Sequence, residues 1–355
     1  MRIFHILNSL TNKGNGIVNV TVDLAAEQAR NGHTVVIVAG HGEYAALLPK
    51  LGIEYFFLDQ RVSAVNLVKA SVLLFRKIKA FRPDIIHAHM RTSLLLAWLC
   101  TRFPRYPLVA HLHNVHDPES ALMRVADRVI AVSQSVSETM ARTIPKWKLR
   151  VVLNGPLQSA RTAPFTSIPP RMLIRPAITT VAGLNHRKGI ADLLEAFDLV
   201  LLRVPNAQLY LVGDGPERVL FEAQAKLSPH CDQIHFEGWQ AEPQGYLMMT
   251  DVFVLASRRD SLGLVLLEAR EAGCAIVATH VDGIPEALDG GTAGILVPAK
   301  NPSYLADTIS NLLLDPALKQ TWQKNAQKGI ENFTCARMTV KVQEIYDELI
   351  ESLHR

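Results

Sequence analysis

Three segments of this sequence carry residue types suited to an anionic, sugar-like ligand. The first is Ala256–Glu286, ASRRDSLGLVLLEAREAGCAIVATHVDGIPE. The apolar run Val252–Leu255 reads as a strand, a polar turn follows, and a helix is expected from about Leu262. Unpaired amides at a helix start, together with the helix dipole, make an anion site from backbone alone. Asp260 sits in the turn, and Glu268 falls about two turns inside the expected helix. Vicinal hydroxyls can donate paired hydrogen bonds to such a carboxylate. A turn aspartate followed by a solvated helical glutamate has the same spacing. The second segment, Val181–Gly189 (VAGLNHRKG), sets Arg187 and Lys188 between a strand end and a helix start. Two cations there suit a departing diphosphate, or form a solvated basic turn. The third, Gly213–Arg218 (GDGPER), reads as a strand-to-helix turn with proline in the first helical turn.

Histidines form a separate pattern. Asp84–His89 (DIIHAH) and Leu108–His113 (LVAHLH) each end a strand with an i,i+2 pair, His87/His89 and His111/His113, with each pair on one face of its strand. His116 follows closely. Zinc is conceivable for such pairs. No carboxylate-rich pair accompanies them, and the expectation is that no metal is bound. The loop Asn8–Ile17 (NSLTNKGNGI) joins the first strand to a helix but is not GxGxxG, so dinucleotide binding is not supported.

The elements that must position these residues alternate along the chain. In the first half, strand-like runs are Arg2–Leu7, Thr34–Ala39, Ile53–Leu58, Asp84–His89, Leu108–His113, Val129–Val132 and Val151–Leu153. Gly16–Asn31 and Ala64–Phe81 have helical spacing. Five prolines between Gly155 and Pro176 mark a linker. The pattern then restarts, with strands at Ile178–Ala182, Gln208–Val212, Ile234–Glu237, Val252–Leu255, Ala275–Ala278 and Gly294–Val297. Helices are expected at Gly189–Arg203, Glu217–Leu227, Leu262–Ala272 and Pro302–Leu314, then two more in the tail. Such alternation predicts parallel sheets covered on both faces. The reading is an α/β chain of two Rossmann-like domains, residues 1–160 and 161–337, facing a central cleft. Residues 338–355 are expected to form a helix that packs back on the first domain.

A length of 355 residues and a hydrophobic content of 48% are ample for two cores. No run of about 18 apolar residues suggests a spanning helix, and MRIFHILNSL reads as a first strand rather than a signal peptide. Four scattered cysteines form no CxxC pair, which fits a reducing cytoplasm. Charge is uneven: residues 1–165 hold 20 basic and 10 acidic side chains, the remainder 17 and 23. The first half is expected to face something anionic. Without a nucleic-acid motif, that partner is not nucleic acid. Lys69, Arg76, Lys77 and Lys79 lie among apolar residues in Leu67–Phe81, a pattern that suits an anionic membrane surface or an ordinary covering helix. Residues 91–105 could join that surface.

With these motifs on the page, the chain resembles the retaining GT-B glycosyltransferases of family 4, over about residues 2–350. The family pattern E-G-F-G-x4-E, followed by G-G-x-P-E, stands here as Asp260-Ser261-Leu262-Gly263, Glu268 and Asp282-Gly283-Ile284-Pro285-Glu286. The resemblance implies that Asp260 contacts the donor sugar, that Ser261, Leu262, Gly263 and Leu264 lend amides to the diphosphate, and that Glu268 holds the ribose. Aspartate for the first glutamate, and Ser-Leu for Gly-Phe, are departures. In G-R-L-x3-K-G, Lys188 matches but the arginine position is Gly183, so Arg187 is expected to supply the missing charge. Gly213 and Gly215 match the family's nucleotide-pocket glycines, and Gly238-Trp239 a stretch near the base, where Trp239 either stacks on the base or fills a core. Asn15 and Gly16 align with the loop that presses on sugar and phosphate. His87 and His89 match D-x-x-H-x-H and are assigned to the acceptor. His113 matches a histidine near the donor sugar.

The resemblance therefore implies a GT-B enzyme that moves a hexose-type sugar, with retention, from a nucleoside diphosphate sugar to a glycan or lipid-linked acceptor. Cell-surface polysaccharide or lipopolysaccharide assembly is the expected setting. No cofactor or metal is expected, His113, Lys188 and Asp260 are the expected catalytic residues, and the location is the cytoplasm or the inner face of the membrane. The alternative is a non-catalytic member that binds nucleotide sugar or glycan.

Overall fold

The computed structural model describes residues 1–12, 14–101, 105–114 and 118–354. The chain divides into two compact units, one of Met1–Thr162 with Phe333–Arg355, the other of Ala163–Asn332.

In chain order the first unit contains β1 (Arg2–Ile6), α1 (Gly16–Arg30), β2 (Thr34–Ala39), β3 (Glu54–Phe57), α2 (Ala64–Phe81), β4 (Ile85–Ala88), α3 (Arg91–Cys100), β5 (Leu108–Leu112), β6 (Arg128–Ala131), α4 (Gln134–Met140) and β7 (Leu149–Val151). The second unit contains β8 (Ala177–Val181), α5 (Ile190–Leu201), β9 (Gln208–Val212), α6 (Arg218–Ala225), β10 (Ile234–Gly238), α7 (Gln244–Leu247), β11 (Val252–Leu255), α8 (Leu264–Glu271), β12 (Ala275–Thr279), α9 (Ile284–Ala287), β13 (Ile295–Val297), α10 (Pro302–Leu314) and α11 (Pro316–Ala326). The last helix, α12 (Cys335–His354), belongs to the first unit, where it packs on α1.

Every named strand pair is parallel. The first sheet has the order β3-β2-β1-β4-β5-β6-β7, the second β10-β9-β8-β11-β12-β13. Covering helices bury both faces, so β2 (TVVIVA) and β12 (AIVAT) are near-continuous apolar runs rather than alternating ones. Each sheet reverses its winding once, between β1 and β4 and between β8 and β11. Ligands of open α/β sheets bind beyond the strand carboxyl ends at such reversals.

Several boundaries differ from the sequence reading. Helix α3 was not distinguished as an element. Its segment, RTSLLLAWLC, is apolar nearly all round and shows no amphipathic period. Leu94, Leu96, Ala97 and Cys100 are buried in the first core, whereas Leu99 is exposed. Helix α8 starts at Leu264 rather than Leu262, because Gly263 holds a left-handed φ of 77°. Strand β7 lies two residues earlier than expected, and α12 begins at Cys335, ahead of Met338.

Arg270 anchors α8. Its side chain is fully buried and donates to the carbonyls of Ala326, Ala287 and Lys328 and to Asp289, at 2.6–2.8 Å. Two of these carbonyls end α11 and α9, so one guanidinium satisfies acceptors that those helices leave open. Arg270→Met is expected to destabilise the second unit by about 3 kcal/mol, since buried carbonyls lose their donors. Urea unfolding measures this, and a loss within error of zero would refute the anchor.

Candidate active site

The second unit gathers its candidate residues at the reversal between β8 and β11. After β8 the chain makes a short 3-10 turn, His186–Lys188, and enters α5 through Gly189 at φ 65°. A Cβ on Gly189 would lie 1.9 Å from the Ala256 carbonyl oxygen, so only glycine lets this turn lie against the end of β11. The Arg258 and Arg259 amides donate to the Arg187 carbonyl at 2.8 and 3.4 Å, joining the two loops. Across this junction Lys188 Nζ meets Asp260 Oδ2 at 2.5 Å.

Asp260 is buried and multiply bonded. Its Oδ1 accepts from the Gly263 amide at 3.1 Å, and Oδ2 also accepts from Ser257 Oγ at 3.3 Å. Burial alone would push its carboxyl up. The Lys188 charge and hydrogen bond, with Arg187 and Ser257, outweigh that and hold it below its ordinary value. Asp282 supports the turn from behind, accepting from the Asp260 amide at 2.9 Å and from Arg259 Nε at 2.8 Å. Arg258 is drawn to Asp192 at 2.6 Å. The sequence reading assigned no part to Asp282, Ser257 or Arg258. One signal was available for Asp282, which occupies a glycine position of the family pattern and adopts a left-handed φ of 44°.

Around this pair, Ser261 is buried, and its hydroxyl has no hydrogen-bond partner among the described residues. Leu262 is buried, Gly263 caps α8, and Leu264 opens it. Glu268 is half-buried and lies one turn inside α8, not two, because of the later helix start. Arg187 reaches the Arg259 carbonyl at 3.4 Å. Gly213 and Gly215 form the turn from β9 to α6, and the Gly213 amide donates to the Gly238 carbonyl at 2.8 Å. Trp239 follows at the end of the edge strand β10, 39% exposed. The strand ends β10, β9, β8 and β11 thus run in order from Trp239 to Asp260.

In the first unit, Asn15 caps α1 by accepting from the Ile17 amide at 3.2 Å, and Gly16 is the first helical residue. His87 and His89 are fully buried near the β1/β4 reversal. His87 Nδ1 contacts the Tyr346 hydroxyl at 2.5 Å, and His89 contacts His5 and His113. Direct acceptor contact, as expected of His87 and His89, does not fit this placement, since neither ring reaches solvent. His113 lies at the end of β5 and is part-exposed. His116 lies outside the described residues.

Two trios, His5/His87/His89 and His89/His111/His113, have nitrogens within 4.8 Å of one another. Both His89 nitrogens are engaged with other histidines. The His87/His89 and His111/His113 rings lie face to face at 4.3 and 4.2 Å.

Two family models match the chain, "Glycosyltransferase Family 4" over residues 14–155 and "Glycosyl transferases group 1" over residues 175–315. The chain belongs to the group 1 glycosyltransferases. A glycogen synthase of Mycobacterium tuberculosis is 27% identical over 71% of this chain, which spans 65% of that relative, just under two thirds of its length. A lipopolysaccharide core biosynthesis glycosyltransferase of Rhizobium meliloti is 25% identical over 81% of this chain and 82% of its own. Among solved structures, Anabaena Alr3699/HepE in complex with UDP and glucose has a TM-score of 0.83 at 20% identity, covering 98% of this chain and 99% of that one. The two parallel-sheet units therefore have the GT-B fold of group 1 glycosyltransferases.

In this member of the family, removing Lys188 would strand a buried carboxylate. With the cation present, the depressed pKa makes the pair stabilising above the ordinary carboxylate range, a contribution lost as pH falls through the folded-state pKa. In Lys188→Met the main opposing charge is gone, and burial raises the Asp260 pKa instead. The variant's stability deficit is expected to be about 3 kcal/mol near neutrality and to shrink on acidification, as Asp260 takes up a proton. Urea midpoints across pH check this, and a deficit independent of pH would contradict the pairing.

Proposed function

We propose that this chain is a retaining glycosyltransferase that moves a hexose-type sugar from a nucleoside diphosphate sugar to a glycan or lipid-linked acceptor in cell-surface polysaccharide assembly. The observation that carries the reading is the Lys188–Asp260 junction at the start of α8. It sets a cation, a carboxylate and outward-facing amides within one turn of each other, as a diphosphate bonded to a sugar requires.

Departure of the diphosphate is the demanding step, because negative charge grows on the leaving oxygen. Lys188, Arg187, the Ser261 hydroxyl and the amides of Ser261, Leu262 and Leu264 are the groups that meet this charge, while the Gly263 amide holds Asp260. On donor binding, Lys188 exchanges part of its contact with Asp260 for the phosphate, and Asp260 accepts from a sugar hydroxyl. Glu268 takes the ribose diol. Gly213, Gly215, Gly238 and Trp239 are assigned to the nucleotide, and His113, Asn15 and Gly16 to the sugar. The acceptor hydroxyl attacks on the face the diphosphate leaves, so no side chain acts as nucleophile. Fixed cations take the part that a divalent ion plays in metal-dependent transferases.

A panel of nucleotide sugars, scored for nucleoside diphosphate release, tests this reading. Lys188→Ala should lower kcat about 10²–10³-fold, whereas Glu268→Ala should act chiefly on KM for the donor. Chelators should leave the rate unchanged, and the product should keep the donor's anomeric configuration. An inverted product would exclude retention. Tight donor binding without turnover would mark a non-catalytic binding member.

We also propose peripheral association with the cytoplasmic face of an anionic membrane through α2. Val65, Val68, Val72 and Phe75 are exposed at helical spacing, 68, 66, 47 and 38%, beside exposed Lys69, Arg76 and Lys79. Among the described residues, no helix is long and apolar enough to cross a membrane. Vesicles containing phosphatidylglycerol should bind the protein in a salt-sensitive way. Val68→Asp with Val72→Asp should weaken that binding roughly tenfold or more. Equal binding by the double variant would remove α2 from the interface.

A further inference from the structure

Five histidines meet at the carboxyl ends of the central strands of the first unit. His5 lies on β1, His87 and His89 at the end of β4, His111 on β5, and His113 just beyond it. Burial lowers His5 to about 4 and His113 to about 3, and pushes the other three well below their ordinary value. All five are therefore neutral near pH 7. A neutral imidazole has one N–H and one bare nitrogen. In a hydrogen-bonded line of such rings, the choice at one end dictates the rest.

His5, His89 and His113 form that line. His5 Nδ1 lies 2.9 Å from His89 Nε2, and His89 Nδ1 lies 3.3 Å from His113 Nε2. Their ring centres are 5.1 and 5.6 Å apart, with interplanar angles of 30° and 28°. These rings meet edge to edge, so the contacts run close to the ring planes, where N–H groups and lone pairs lie. The face-to-face pairs noted above make no such bond.

The line begins at Gln28 of α1, itself fully buried. Gln28 Oε1 is 2.7 Å from His5 Nε2, and its amide nitrogen donates to the Tyr346 hydroxyl at 3.4 Å. That hydroxyl is the group 2.5 Å from His87 Nδ1. A phenol is a stronger donor than a neutral imidazole N–H, so the short contact is O–H···N and the phenol oxygen is left to accept from Gln28. The amide orientation follows, with its oxygen toward His5. Gln28 Oε1 only accepts, so His5 carries its hydrogen on Nε2 and is bare at Nδ1. His89 then donates from Nε2 and is bare at Nδ1. His113 donates from Nε2, which leaves its Nδ1 bare. That atom has no partner among the described residues, and His113 is the one part-exposed ring of the five.

We propose that Gln28 is a positioning residue that, through His5 and His89, holds His113 in the Nε2–H tautomer, so that His113 meets the ligand as a hydrogen-bond acceptor at Nδ1. The ligand group opposite it must then be a donor, a sugar hydroxyl or an N–H. This last step rests on the reading of His113 as a sugar contact, whereas the tautomer does not.

The experiment is NMR of the full chain labelled with nitrogen-15 in histidine, using two-bond proton–nitrogen correlations and His113→Phe for assignment. The wild-type spectrum at neutral pH should show His5, His89 and His113 all as Nε2–H tautomers. Gln28→Leu should mix the two His113 tautomers and lower kcat/KM about tenfold, the worth of one hydrogen bond to the substrate. Gln28→Glu, which restores an acceptor to His5, should recover the tautomer. Tyr346→Phe keeps Gln28 but removes the hydroxyl that orients it, and should mix the tautomers as Gln28→Leu does. An Nδ1–H His113 in the wild type overturns the proposal without any variant, and so does a His113 signal unchanged in both Gln28→Leu and Tyr346→Phe. If the tautomers are as stated but His113→Phe transfers sugar at the wild-type rate, the sugar-contact reading fails while the line stands.

Discussion

The second unit is organised around one ion pair. Lys188 and Asp260 lie 72 residues apart in sequence and come from loops after two different strands, yet they touch at 2.5 Å with both side chains largely buried. Sheet topology makes this contact: β8 and β11 are neighbours only because the strand order reverses between them. Gly189 lets the first loop lie against the second, and Asp282 braces the Asp260 amide from the loop after β12. An isolated buried charge would be expensive in free energy, and the pair tolerates burial because each charge answers the other. It also leaves the site poised. On the proposed reading, a diphosphate arriving at the α8 amides would find a cation already fixed in place and a carboxylate able to turn toward a hydroxyl.

The first unit solves a different problem with the same topology. At its own strand reversal it buries imidazoles instead of a charged pair, and burial keeps them neutral. Neutral rings have direction, because each must choose which nitrogen bears hydrogen. Gln28 and Tyr346, on the first and last helices of the unit, supply an end point for that choice. The return of α12 to the first unit therefore bears on the chemistry of the strand ends as well as on packing.

Much of the fold was legible in the sequence because parallel strands buried on both faces are short continuous apolar runs. Thr34–Ala39, Gln208–Val212 and Val252–Leu255 read as strands with the bounds they have. Helices with an amphipathic stripe, such as Ala64–Phe81 and Pro302–Leu314, were equally plain. Helix α3 was not, since a segment apolar on every side has no period to detect. The start of α8 was misplaced by two residues because Gly263 stops the helix through its φ, which residue type alone does not reveal. At the site, strand-end residues such as Lys188 and Asp260 could be named from motif and spacing. Partners brought together by tertiary packing could not: nothing local ties Gln28 to His5 or Asp282 to Asp260. The assignment of His87 and His89 to an acceptor rests on their match to D-x-x-H-x-H, and a motif does not reveal that α12 and the neighbouring rings cover them.

The central claim is that the Lys188–Asp260 junction receives a pyrophosphate. Phosphorus NMR of inorganic pyrophosphate titrated with the protein tests this most directly. The account predicts a saturable shift in the phosphorus signal that is lost in Lys188→Ala, while the folded spectrum of the protein is retained. A shift of the same size and affinity in Lys188→Ala would place the anion elsewhere and contradict it.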